Sequence, residues 1–187
     1  MKVEQFVMAY GVEQDKLRAI LPEGFVSLRP VLRINAEVRD NSVGYVEFNT
    51  AVEKDGNRGW LNIGCWNDVP FEKNGKKTTF RTDFLEISFE GVGIAGSCPA
   101  EKDNAGCYFE NELRKPEVIT VNKEFCDCRF AWHFTKNDAH GVSIGKTLPA
   151  YSTGPITVYP PKDFTVENAA AIPCEQVLGT YVVVFER

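Results

Sequence analysis

From Leu32 to Arg39 the chain alternates between apolar and polar residues without a fault. Leu32, Ile34, Ala36 and Val38 fall on one side of an extended strand, and Arg33, Asn35, Glu37 and Arg39 on the other, because side chains switch faces with period two. Just upstream the period is different. Val12, Leu17 and Ile20 recur at helical spacing, with Asp15, Lys16 and Arg18 on the wet side, which predicts an amphipathic helix over 12–20. Pro22 lacks an amide donor and Gly24 tolerates the reversed backbone that follows, so the helix stops there. A short helix feeding a two-faced strand demands a sheet with core on one side.

The rest of the chain extends that sheet. A strand over 3–10 precedes the helix, and the turn Asp40-Asn41-Ser42 leads from 31–39 into Val43–Thr50. Lys54-Asp55-Gly56-Asn57 returns the chain as Gly59–Trp66, an Asp-Gly pair between alternating runs being a hairpin signal. Asn74-Gly75 repeats the device between Phe71 and a long strand, Thr79–Phe89. Further strands are expected at 104–110, 117–122, 125–135 and 141–147. Pro149, Pro155, Pro160 and Pro161 mark an irregular connection. A short helix starts near Thr165, carries Glu167 in its first turn and stops before Pro173. The valine-rich run Gln176–Glu186 closes the chain as a strand. No repeat, low-complexity tract or linker divides the 187 residues, which are read as one domain, 1–187; a chain of this length buries roughly 70% of its unfolded surface.

Composition narrows the function classes. With 43% hydrophobic and 25% charged residues the chain matches an ordinary globular protein. A net charge of −5 argues against nucleic acid, whose phosphates need a cationic face. No run approaches the ~20 apolar residues of a membrane helix, and Glu4 and Gln5 interrupt what a signal peptide would keep apolar. The expected setting is cytoplasmic, with the six cysteines as thiols.

Several motif look-alikes do not survive inspection. Gly91-Val92-Gly93-Ile94-Ala95-Gly96 spells a dinucleotide glycine pattern, but Ser97-Cys98-Pro99 follows where a helix must begin. The pattern reads instead as a strand bent at Gly91, Gly93 and Gly96. Gly141-Val142-Ser143-Ile144-Gly145-Lys146-Thr147 has three residues between its glycines where a phosphate loop has four, and Leu148-Pro149 blocks the helix. Cys98, Cys107, Cys126 and Cys128 could in principle form a tetrahedral zinc site, yet no pair has the knuckle spacing. Cys126 and Cys128 share a face with Phe130, Trp132 and Phe134, which favours core packing and no metal. His133 lies on the opposite, exposed face. Neither Ser97 nor Ser143 has a nucleophile-elbow context.

The polar faces of the early strands carry more. Arg33, Asn35 and Glu37 share one face; so do Tyr45, Glu47 and Asn49 on the next strand, and Trp60, Asn62 and Trp66 on the third. Leu32, Ile34, Val38, Val46, Phe48, Leu61 and Ile63 make the other side. A solvated sheet face is the plain alternative. Two tryptophans among carboxylate, amide and guanidinium groups suit a concave pocket better.

The order of these pieces has a counterpart. A strand ending in Tyr10 is followed by Lys16-Leu17-Arg18-Ala19-Ile20-Leu21-Pro22-Glu23, then Val31-Leu32-Arg33, Gly44-Tyr45-Val46-Glu47 and Gly59-Trp60-Leu61-Asn62. From Tyr10 to Asp68 this resembles the N-terminal part of the acetoacetate decarboxylase superfamily. The resemblance implies a mainly β protein with short helices, its antiparallel sheet curled into a cone-like barrel around a small-molecule cavity. It also implies a difference. Family decarboxylases form a Schiff base on a lysine within a Gly-Arg-Glu…Pro-Lys-Lys motif, the neighbouring lysine holding it unprotonated; that motif is missing after Asp68. Lys76-Lys77 follow the Asn74-Gly75 turn and sit at a hairpin tip. Lys102 lies between Glu101 and Asp103, which favour its charged form, and Lys146 has no neighbour that implies burial. Glu47 matches an acidic residue of the family's site, and Asn35 stands where the family has a second carboxylate.

The expected function is therefore binding, or an unassigned transformation, of a small polar metabolite such as a keto acid. Arg33, Asn35, Glu47, Trp60, Asn62 and Trp66 are the expected ligand-binding residues, with no cofactor and no metal. A lyase with a displaced lysine and a cysteine-based metal-binding or structural protein are the alternatives. A small molecule and a second copy of the chain are the partners left open; whether a reaction is catalysed is left open too.

Overall fold

A computed structural model describes residues 1–92, 106–114, 121–135, 140–144 and 155–187. The chain begins with β1 (Lys2–Gly11) and a single helical turn, α1 (Gln14–Arg18). This helix is shorter than the apolar spacing predicts; Leu17 is its buried residue, and Arg18 donates to Asp15 one turn back. β2 (Val26–Arg39) starts earlier than expected. Its first residues pass Pro30 at an irregularity between Ser27 and Leu32, the kind of position where a strand accommodates proline. β3 (Val43–Lys54) and β4 (Asn57–Asn67) are joined at Asp55-Gly56, both with positive φ (51° and 75°), as the sequence signal requires.

β5 (Phe71–Asn74) turns at Gly75 into β6 (Lys77–Arg81), and β7 (Leu85–Gly91) follows. The long strand expected over Thr79–Phe89 is thus two strands. Thr82 makes the break: its hydroxyl accepts from the amides of Phe84 and Leu85, and its own amide donates to the Leu85 carbonyl. A second unforeseen hairpin, β8 (Cys107–Phe109) and β9 (Glu112–Arg114), turns at Glu110-Asn111, both with positive φ. β10 (Val121–Phe134) is continuous where two strands are expected, and β11 is His140–Ile144. In α2 (Val166–Ala170), Thr165 caps the start by accepting from the Asn168 amide. β12 (Gln176–Glu186) completes the order.

The strands line up as β5-β6-β7-β10-β12-β1-β2-β3-β4-β8-β9, with β11 also on β10. Long β10 serves both wings: Val121–Asp127 pair with β12, and Cys128–Phe134 with β7. All pairings among the described residues are antiparallel except β4 with β8, where Trp60 lies beside Cys107 and Leu61 beside Tyr108. Gly59 allows that approach, since a Cβ there would stand 2.6 Å from the Gly106 carbonyl oxygen.

The expected barrel is not found. Closure needs an unbroken ring of ladders with matched tilt and stagger, whereas β5 and β9 end the order as open edges among the described residues. The short β8–β9 hairpin occupies the outer edge of β4, where a closing strand would pair. The two wings nevertheless face each other across one core. Phe6 meets Phe89 at 4.9 Å between ring centroids, Phe48 meets Phe134 at 5.5 Å, and Trp66 stacks on Phe84. Leu32, Ile34, Ala36, Val38, Val46 and Phe48 all enter this core, as the alternation predicts. No helix among the described residues is long and apolar enough to cross a membrane. Of the expected bend, Gly91 ends β7, while Gly93 and Gly96 lie outside the described residues.

Candidate functional site

Opposite the aromatic core, β2, β3 and β4 present their polar residues together. Register sets the rows: Glu37 beside Tyr45, Asn35 beside Glu47, and Arg33 beside Asn49. Continuing onto β4, Glu47 lies beside Cys65, Asn49 beside Asn62, and Ala51 beside Trp60. This is a buried face rather than a solvated one. Arg33 is 6% exposed, and Asn35, Glu37, Asn49 and Trp60 are each 3% exposed. Glu47 and Asn62 are half-buried and Cys65 is exposed, so the face opens toward the lower part of β4.

Most of these polar side chains are held by another. Glu47 accepts from the Asn35 amide through Oε1 and from the Tyr45 hydroxyl through Oε2, both at 2.9 Å. Asn62 donates to Asn49 Oδ1 at 3.1 Å. Glu37 accepts from Gln5, Arg39 and Arg187. The Arg33 guanidinium lies 4.4 Å from the Trp60 ring, a cation–π arrangement. Two atoms lack partners. Arg33 Nε and Asn35 Oδ1 are buried and make no hydrogen bond. A buried donor or acceptor left unpaired bears its whole desolvation cost, so these two define what the face lacks.

Burial also tunes the acids here. Tyr45 holds its proton far beyond the ordinary range, chiefly through burial, then through the neighbouring Glu47 charge. Burial pushes the Cys107 thiol up to about 11; Glu47 adds to this and Arg33 opposes it. Cys107 therefore belongs to this face, carried there by the parallel β8.

Five of the six expected residues come together: Arg33, Asn35, Glu47, Trp60 and Asn62 share the face. Trp66 does not. Ile63 stands unpaired between Asn62, which faces Asn49, and Gly64, which faces Phe48. That bulge shifts the alternation by one, turning Trp66 to the core side, where it stacks on Phe84 and donates to Asp83. The same shift delivers Cys65 to the site face, beside Glu47. Tyr45 was legible from its strand position; Cys107 was not, since nothing local announces a parallel insertion.

The alternatives fare differently. Cys107 packs beside Trp60, whereas Cys128 lies in the aromatic core with its sulfur 2.7 Å from Thr180 Oγ1. Those two sulfurs are thus in separate clusters, and the described residues hold no group of three metal-ligating side chains. Cys98 and the Cys126 side chain lie outside the described residues. Lys77 opens β6 and is exposed, and Lys102 and Lys146 fall outside the described residues.

No protein-family model matches the chain, and no curated protein resembles it in sequence. Solved structures do match. Acetoacetate decarboxylase from Legionella pneumophila superposes with a TM-score of 0.59 at 10% identity, covering 99% of this chain and 81% of that one. The enduracididine biosynthesis enzyme MppR, complexed with pyruvate, gives 0.52 at 13% identity over 98% of this chain and 84% of that chain. An acetoacetate decarboxylase-like enzyme from Sphingomonas wittichii RW1 gives 0.53 at 8% identity, over 98% and 87%. The chain thus has the acetoacetate decarboxylase-like fold. At these identities the likeness concerns the fold alone.

Proposed function

We propose that the polar face of β2–β4 binds a small carboxylate-bearing metabolite, of the size of a simple keto acid, within a single domain. The observation that carries this reading is the unpaired Nε of buried Arg33 above Trp60. A guanidinium can only donate, and carboxylate is the partner its fork fits best. Both Glu47 oxygens are taken by Asn35 and Tyr45, and no ion pair joins Glu47 to Arg33 among the described residues. Trp60 supplies an apolar wall, and half-buried Asn62 lies toward the opening. A pyruvate-bound neighbour of the same fold supports the ligand class. For a Schiff base, Lys77 is poorly placed: it opens β6 in the other wing of the sheet and is exposed rather than enclosed beside the polar face.

Titration with pyruvate and with acetoacetate, followed by tryptophan fluorescence and calorimetry, tests the proposal. Binding should be saturable, should quench or shift the Trp60 emission, and should be lost in Arg33→Gln. Glu47→Gln, which keeps the shape but removes the charge, should weaken it by reorienting Asn35. Binding that is indifferent to both variants would place the ligand elsewhere.

A further inference from the structure

The two unpaired atoms of the polar face are of opposite kinds. Arg33 Nε is a donor and Asn35 Oδ1 an acceptor, on side chains 6% and 3% exposed. They stand two residues apart on the same face of β2, roughly 7 Å between their Cα atoms. Asn35 has no freedom to swap its ends. Its amide group must face Glu47 Oε1, because a carboxylate only accepts, and this leaves Oδ1 as the end without a partner. A plain keto acid satisfies Arg33 with its carboxylate but brings a second acceptor, the ketone oxygen, toward Asn35. Two acceptors facing each other leave both unpaired.

We propose that the ligand is a carboxylic acid carrying a hydrogen-bond donor next to its carboxylate: a hydroxy acid or an amino acid rather than a keto acid. The carboxylate accepts from Arg33 Nε, and the hydroxyl or ammonium donates to Asn35 Oδ1. Glu47, held behind Asn35, fixes the amide in the orientation that reads a donor. This rests on the carboxylate-binding reading above and narrows its ligand class. Sites that hydrogen-bond a substrate hydroxyl reject the analogue lacking it far more strongly than apolar pockets reject a size difference.

The test uses matched probes on the whole chain: lactate against pyruvate, 2-hydroxybutyrate against 2-oxobutyrate, and alanine for the ammonium arm. Lactate or alanine should bind at least about tenfold more tightly than pyruvate, as expected when a buried acceptor gains its partner. Which of the two binds more tightly distinguishes a hydroxyl donor from an ammonium donor. Asn35→Leu, checked for folding by circular dichroism, should bring the ratio close to one while Arg33-dependent binding persists. Equal binding of donor-bearing and keto probes, still lost in Arg33→Gln, overturns this inference and leaves the carboxylate site standing; Oδ1 is then served by water. Absence of binding by every probe overturns both.

Discussion

At the scale of single residues the two sides of the sheet use polar groups differently. On the site face, hydroxyl, amide and carboxylate form a chain in which Tyr45 and Asn35 both serve Glu47. On the core face, Tyr10 is fully buried and its hydroxyl has no partner, while its ring stacks on Trp132 at 5.5 Å. The ring is what the core uses, and the hydroxyl is a cost. Tyr10→Phe should therefore leave stability unchanged or raise it by up to about 1 kcal/mol, since an unpaired buried group is removed without loss of stacking. Urea denaturation measures this. A clear loss of stability would show that the hydroxyl is satisfied in the folded protein.

At the scale of elements, small polar devices decide where strands end. Thr82 divides what alternation predicts as one strand into β6 and β7, and its hydroxyl takes both the Phe84 and the Leu85 amides. The turn it shapes also aims Phe84 at Trp66 and Phe134, tying the two wings together. Thr82→Val keeps the shape and removes the acceptor, leaving two amides short. The expected loss is about 1–2 kcal/mol, seen as a lower urea midpoint with unchanged slope. Thr82→Ser should recover most of it. If Val is tolerated without loss, the turn is held by packing of Phe84 and by the Thr82–Leu85 backbone bond.

For the whole molecule, buried acids point one way. Cys107 is pushed from 9.0 up to about 11, mainly by burial, and Tyr10 and Tyr45 are also raised, again mainly by burial. A folded-state pKa above the unfolded value means the unfolded chain releases its proton first. Stability from these groups is therefore complete below pH 9, declines from about 9 to 11 as Cys107 is outrun, and declines further above 10 through the tyrosines. Each group contributes at most about 1.4 kcal/mol per pH unit across its window. Stability measured at rising pH should fall steeply from about pH 9, and the Tyr10 and Tyr45 phenolates should form only with unfolding, read by absorbance. Early titration of every tyrosine in the folded protein would contradict their burial.

What the sequence determined by itself is what local chemistry can encode. Period-two alternation assigned Leu32, Ile34, Ala36 and Val38 to the core and Arg33, Asn35 and Glu37 to the opposite face. Asp55-Gly56 and Gly75 gave hairpins because they tolerate positive φ, and Thr165 capped α2 because its hydroxyl reaches the Asn168 amide. These signals lie within a few residues of the structure they specify. The tertiary structure decided what depends on a distant partner. The bulge at Ile63 exists only relative to β3, and it alone exchanges Trp66 for Cys65 on the site face. Parallel β8 reaches β4 across nearly fifty residues to bring Cys107 beside Trp60, and no turn residue announces such a pairing. The open strand order in place of a barrel follows from the same source. Whether edges meet is fixed by register summed over every ladder, and a register is a property of two strands at once.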